Sequence, residues 1–165
     1  MQRLPDDVPA RVHVHRHPGG AAVLAAFDLQ AGDVVTLIVG PIVPQPARFT
    51  VQVGVAAHVT APLTPAGEPD PTHAWPFLNH SCGANAVLRG RTLIALRPIA
   101  AGEEVTFDYD TTEWELAEPF ACRCGAAACR GLIRGYRHLS PAQQRLLRPH
   151  LAPHLLDGGT SRRDG

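Results

Sequence analysis

Cysteine placement constrains this chain more than any other feature. Its four Cys stand at 82, 122, 124 and 129, and the last three share one tight loop, Cys122-Arg123-Cys124-Gly125-Ala126-Ala127-Ala128-Cys129, a C-x-C-x4-C pattern. Cys122 and Cys124 are too close in sequence for an unstrained disulfide. The start, MQRLPDDVPA, lacks a basic segment followed by an apolar one, so a reducing, cytoplasmic setting is expected. Three thiolates on a Gly-containing loop suit a tetrahedral Zn²⁺, which takes four such ligands. The fourth is Cys82 or a His. The economical assignment is Cys82, Cys122, Cys124 and Cys129, a closed and therefore structural site; four free or redox-active thiols are the alternative. On the zinc reading, the ion ties the segment after 121 back onto Phe77-Leu78-Asn79-His80-Ser81-Cys82.

At 165 residues the chain fits one domain, which buries about two-thirds of the surface its unfolded form exposes. Its 16 Pro and 15 Gly imply many turns and few long helices. No apolar run approaches the ~20 residues of a membrane span, so no membrane partner is expected. Formal net charge is zero, which argues against a surface built for direct nucleic-acid contact. All 15 basic residues are Arg, so Schiff-base chemistry on a Lys of its own is excluded. Charge is uneven: Glu103, Glu104, Asp108, Asp110, Glu113, Glu115 and Glu118 fall in one stretch without an Arg. That stretch reads either as a solvated acidic loop or as a field for a cationic substrate.

Pattern places short strands along the chain. Residues 1–18, rich in Pro and His, read as irregular or weakly extended. Val23 to Phe27 is apolar, and Leu29 to Asp33 turns. Val34 to Val39 is β-branched and ends at Gly40-Pro41; Phe49 to Val53 alternates. Residues 61–72 hold too much Pro for a ladder. Thr92–Leu96 and Glu104–Phe107 flank an Ala100-Ala101-Gly102 turn. Ser140-Pro141-Ala142-Gln143 offers a capping box with Pro at the first helical position, and Leu146, Leu147 and Leu151 supply an apolar side. Asp157 to Gly165 is expected to be disordered.

Four blocks, in order, then carry a resemblance. Asn79-His80-Ser81-Cys82-Gly83-Ala84-Asn85 resembles N-H-S-C-x-P-N. Ile99-Ala100-Ala101-Gly102-Glu103-Glu104-Val105-Thr106-Phe107-Asp108-Tyr109 resembles I-x-x-G-E-E-[LV]-T-[FY]-D-Y. The run Phe120 to Gly131 resembles a post-SET segment, and Val23 to Val35 an opening strand and turn. Together they resemble the SET-domain protein lysine methyltransferases with a post-SET zinc segment, in a small, bacterial-type form. The resemblance implies a mainly β fold with a C-terminal helix: a SET-domain-like β-clip of small curved sheets with a pseudoknot-like C-terminal segment. It implies an N-terminal extension (1–16), a SET domain (17–118), a post-SET zinc segment (119–138), a C-terminal helix (139–156) and the tail.

The same resemblance implies S-adenosylmethionine as methyl donor and a lysine-bearing protein, or a small amine, as acceptor. Asn79 and His80 would hold the cofactor with Gly20, Ala22, Val23 and Tyr109. Tyr109 would be the catalytic residue at the end of a lysine channel. Phe107 would line that channel and leave room for products beyond monomethyl, with Trp75, Phe77 and Trp114 as further aromatic walls. The residue types suit the chemistry, because in-line methyl transfer needs a neutral amine, alignment and a dry channel more than a strong base. Three departures bear on it, one being that the chain holds only two Tyr, so the aromatic walls lean on Phe and Trp. Gly20-Ala21-Ala22 stands for the family's G-x-G, and Ala84 for its Pro. A zinc-stabilised binding module without methyl transfer, or a SET-fold enzyme acting on a small metabolite, are the competing expectations.

Overall fold

Alternation decides the first hairpin. The computed structural model describes residues 10–156, and β1 (Val12–His17) opens it with Val12 buried, Val14 half-buried, and His13, His15 and His17 exposed. β1 pairs antiparallel with β2 (Gly20–Ala25), from Val12 opposite Ala25 to His17 opposite Gly20. Of the two expectations for residues 1–18, irregular or weakly extended, residues 12–17 take the extended one as a regular strand: Val-His-Val-His is a period-2 signal that Pro and His content obscured. The tail expected at 157–165 lies outside the described residues.

β3 (Val34–Leu37) is followed by β4 (Ile42–Val43), β5 (Thr50–Gly54) and β6 (Ala57–Thr60), the last three forming a sheet of order β4-β6-β5. Residues 61–72 turn repeatedly around one isolated bridge, Leu63 to Pro69. β7 (Asn79–His80) precedes the β8 (Ala86–Arg89) and β9 (Thr92–Ala95) hairpin, and β3 joins that hairpin in the order β3-β9-β8. β10 (Thr106–Phe107) is shorter than the strand expected at 104–107. The two preceding residues are still extended but pair elsewhere: Leu24 bridges Glu104, and the Val105 N–H donates to the Val23 carbonyl. β11 (Phe120–Ala121) and β12 (Leu132–Ile133) close a small antiparallel pair. Val23, Leu29, Ile38, Val59, Leu93, Ile99 and Val105 make a core with essentially no exposure.

The chain after β12 lies against residues 113–116. Leu116 donates to the Arg134 carbonyl, Tyr136 to that of Glu113 and Arg137 to that of Trp114. Gly135 makes this crossing possible. Its φ is +113°, and a Cβ there would lie 2.5 Å from the Trp114 carbonyl oxygen. Gly135→Ala should therefore cost about 3 kcal/mol through strain and backbone displacement. Chemical denaturation reads it, and a midpoint unchanged from wild type would mean that the crossing is not tight.

The capping box forms as expected at the start of α1 (Pro141–Leu147): the Ser140 hydroxyl accepts from the Gln143 N–H, and the Gln143 side chain accepts from the Ser140 N–H. The helix is shorter than expected, and its apolar side is not one. Pro149 ends it, a 3₁₀ turn follows over Arg148–His150, and α2 (Pro153–Leu156) completes the segment. Leu146 is 75% exposed, while Leu151 and Leu155 are buried.

Candidate active site and metal centre

Two motifs meet because β7 and β10 pair in parallel, Asn79 beside Thr106 and His80 beside Phe107. A 3₁₀ turn, Tyr109–Thr111, follows at once and brings Tyr109 back over His80. The Tyr109 N–H donates to His80 Nδ1 at 3.0 Å. His80 Nε2 therefore carries the ring proton, and it lies 3.4 Å from Cys82 Sγ. Burial, with the Arg130 charge nearby, lowers the His80 pKa to about 4, so the ring is neutral. The Tyr109 hydroxyl donates to the Leu78 carbonyl at 2.5 Å. Burial first, then the Glu113 and Glu104 carboxylates, raise its pKa, so it stays a phenol at neutral pH.

A cavity of about 470 Å³ opens at this tyrosine. Trp75, Phe107 and Tyr109 line it together with Phe49 and Phe120, and Leu78, Val51 and Leu116 fill between them. The Trp75 indole N–H donates to the Val39 carbonyl, which fixes that wall. Phe77 and Trp114, also expected in the channel, stand apart from this lining. Arg16 lies over the Phe77 ring, and Trp114 packs against Tyr136. Phe120 takes their place, edge-on to both His80 and Tyr109. Its position just before Cys122 was the available signal. Glu113 also lines the cavity; the sequence placed it in the acidic stretch that offered a field for a cationic substrate, but did not single it out.

On the other side of β7 stand the residues expected at the cofactor. The Asn79 amide donates to the Ala21 carbonyl and to Glu104 Oε1, both at 2.8 Å, so it ties β2 to the approach of β10. Ala22 lies in β2 opposite His15, is buried, and is not among the positive-φ residues. Gly20 has φ +140° with open space around it. A Cβ at 22 therefore strains nothing in the backbone, and conformational freedom is needed only at 20. Val23 is a core residue that offers only its backbone.

The four cysteines come together. Their sulfurs all lie within 4.8 Å of one another, and Cys82 and Cys122 are 4.0 Å apart, far beyond disulfide length. Four thiols on one point are a donor set that could hold Zn²⁺. The Ala126 N–H bonded to Cys124 lowers that thiol's pKa to about 6, which readies one thiolate. Cys129 adjoins Arg130, a residue whose role went unread. The Arg130 guanidinium meets Asp108 Oδ1 at 2.5 Å and Asp110 Oδ2 at 3.0 Å, and its backbone N–H points at Cys82 Sγ. Burial raises the Asp108 pKa to about 6 even against this partner. Asp110 also accepts from the Gly135 N–H, so one charged hub joins the tyrosine turn, the cysteine loop and the crossing.

These contacts bear on the acidic stretch, expected to be either a solvated loop or a field for a cationic substrate: among the described residues, five of its seven acids meet cations of this chain, while Glu113 lines the cavity with no ion pair. Asp108 and Asp110 are spent on Arg130, and Glu103 on Arg97. Glu115 pairs with Arg137 and His138, and Glu118 with Arg48. Counting charge along the sequence missed partners that arrive from other segments.

The SET domain family profile matches residues 20–110, more than half of the 165-residue chain, and the chain belongs to the SET domain family. Among curated relatives, methyltransferase flvH of Aspergillus flavus is 36% identical over 85 residues, 49% of this chain and 47% of that protein. The H3 lysine-36 specific histone-lysine N-methyltransferase of Yarrowia lipolytica is 34% identical over 133 residues, 70% of this chain and 17% of that protein. The chain thus spans about half or less of these relatives' lengths. Among solved structures, KRYPTONITE in complex with mCHG DNA and SAH superposes with a TM-score of 0.55 at 23% identity, over 73% of this chain and 28% of that one. That likeness extends to the fold alone.

Proposed function

We propose that this chain is an S-adenosylmethionine-dependent N-methyltransferase that acts on a lysine amine of a protein by direct in-line transfer. The observation that carries the proposal is the parallel pairing of β7 with β10, which sets Asn79-His80 beside the strand that brings Phe107 and Tyr109 into one aromatic cavity. The named relatives, all methyltransferases, support it.

When bound, S-adenosylmethionine supplies an electrophilic methyl group on a sulfonium. The backbone at Gly20–Ala22 and the Asn79 side chain, whose Oδ1 still has room to accept, would hold it on the β2 side. The His80 ring is occupied internally: it fixes the Tyr109 backbone on one nitrogen and reaches the cysteine cluster with the other. Tyr109 would orient the amine at the inner end of the cavity. Its hydroxyl is aimed at the Leu78 carbonyl, so that carbonyl and phenol oxygen together offer acceptors to an amine N–H and to a polarised methyl. Trp75, Phe107 and Phe120 exclude water and leave a lysine side chain few orientations.

Tyr109→Phe is the direct test. Calorimetric affinity for S-adenosylmethionine should stay within about threefold of wild type, while single-turnover transfer to a lysine-bearing acceptor falls on the order of 10²-fold or more. Unchanged transfer would remove Tyr109 from the mechanism. Absence of S-adenosylmethionine binding by the wild-type protein would overturn the reading itself.

A further inference from the structure

An acid inside an aromatic cavity calls for a counter-charge, and none of the described residues gives Glu113 one. It lines the cavity beside Tyr109 and Phe107 and is only 4% exposed. Its two hydrogen bonds, from the Gln52 N–H at 2.8 Å and the Thr112 hydroxyl at 3.2 Å, both end on Oε1. Among the described residues no Arg or His forms an ion pair with it. The one cation of the cavity lining, Arg48, sits exposed and faces Glu118 at 3.7 Å. Burying a carboxylate without a counter-charge is costly. Here burial lifts its pKa to about 7, so the group is poised between its two forms at neutral pH.

We propose that Glu113 is the cavity's receptor for the substrate ammonium: it pairs with the cation on entry and takes one of its protons. The proposal rests on the reading above that an amine enters this cavity, and it adds the group that makes that amine nucleophilic. In the step, an N–H bond of R–NH₃⁺ breaks and an O–H bond forms on Glu113. The electron pair stays on nitrogen, and two opposite charges become two neutral groups. A dry site favours that direction, because it removes both charges from low dielectric. The proton later leaves to solvent as the carboxyl re-ionises.

The groups around Glu113 neither supply nor remove a proton at neutral pH. Tyr109, from the 3₁₀ turn, is held as a phenol. From α2, the His154 ring donates to the Thr112 carbonyl at 2.7 Å, and burial lowers its pKa. From β6, His58 is likewise lowered by burial and by His154. Arg48 and Glu118 are at the rim and paired. Glu113 also has a structural duty. It anchors the Gln52 N–H of β5, while the Gln52 side chain accepts from the Trp114 N–H. The test must therefore separate charge from shape.

Glu113→Gln keeps an oxygen for both hydrogen bonds and removes the charge. With the zinc-loaded 165-residue chain saturated with S-adenosylhomocysteine at pH 7, n-butylamine and 1-butanol are titrated by protein-observed NMR. Wild type should prefer the amine by at least about tenfold, the range of one charged hydrogen bond. E113Q should lose the preference while binding butanol as before. In wild type, n-butylamine but not butanol should also move the Glu113 carboxyl carbon resonance toward its protonated position at pH 8, where the free group is largely ionised, a readout that needs no variant. A preference retained in E113Q, a Glu113 resonance indifferent to the amine, or no amine binding at all overturns the proposal. Saturable S-adenosylhomocysteine with any of these results leaves the methyltransferase reading standing. Failure to bind S-adenosylhomocysteine sinks that reading, while the amine titration still tests Glu113.

Discussion

Replacing Arg130 with Met should destabilise the protein by about 3–5 kcal/mol, the cost of leaving buried carboxylates without their counter-charge. The Arg130 side chain is 8% exposed and Asp108 and Asp110 are 7% and 1% exposed, so solvent screening does little to soften the loss. For a chain of this size that corresponds to a fall in melting temperature of roughly 10 °C. Arg130→Lys keeps a charge but not the fork that reaches both carboxylates, so it should lie between. The pH dependence carries the sign. Burial raises both carboxyl pKa values, and Arg130 is what opposes the rise. Without it, the folded-state values climb further above the unfolded ones. The variant's stability is then fullest when both groups are protonated, and it is lost as pH rises through the folded values. The deficit relative to wild type should be larger at pH 8 than at pH 5.5, read by thermal unfolding of both proteins at each pH. A melting temperature within about 2 °C of wild type at pH 8 would refute this account of the hub.

Much of this site could be read before the fold was known, and the rest could not, for separable reasons. The cysteine quartet was legible because one tight loop held three thiols and a single candidate Cys remained. Asn79-His80 and Phe107 to Tyr109 were legible as motifs, but their juxtaposition was not. β7 and β10 are two residues each, too short for any periodicity, and a parallel pair has no turn signal. Arg130 was missed, and Glu113 was seen only as one acid of a charged stretch, because a charged residue that is buried looks, in sequence, like any solvated charge. Leu146 erred in the other direction. Its spacing with Leu147 and Leu151 suggested one helical face, yet Pro149 breaks the helix between them and turns Leu146 outward. β6 and β8 escaped notice as short runs beginning with Ala. Local pattern, in short runs, reports strands that alternate; it is silent on which segments meet.

Removing the metal should have the largest effect. We propose that Cys82, Cys122, Cys124 and Cys129 hold one structural Zn²⁺ per chain. The sulfurs, within 4.8 Å of one another, need to close only to the roughly 3.8 Å edge of a tetrahedron with Zn–S bonds of about 2.3 Å. Little else secures the loop: its flanking strands are two residues each, Leu132 is exposed, and only Ile133 is fully buried. Structural zinc contributes on the order of 10 kcal/mol in small metal-folded units, more than this loop's own packing can replace. Its loss would free Phe120 from the cavity wall, loosen the Arg130 clamp and release Cys82 from beside His80. Metal analysis should find about one Zn per chain. A strong chelator should lower the melting temperature by roughly 10 °C or more and abolish S-adenosylmethionine binding in the same titration. Cys82→Ser should reproduce both losses, because it removes the one ligand that joins the loop to β7. A metal-free protein that melts and binds as before would show that the four thiols merely sit close, and the cysteine loop would then need another tie.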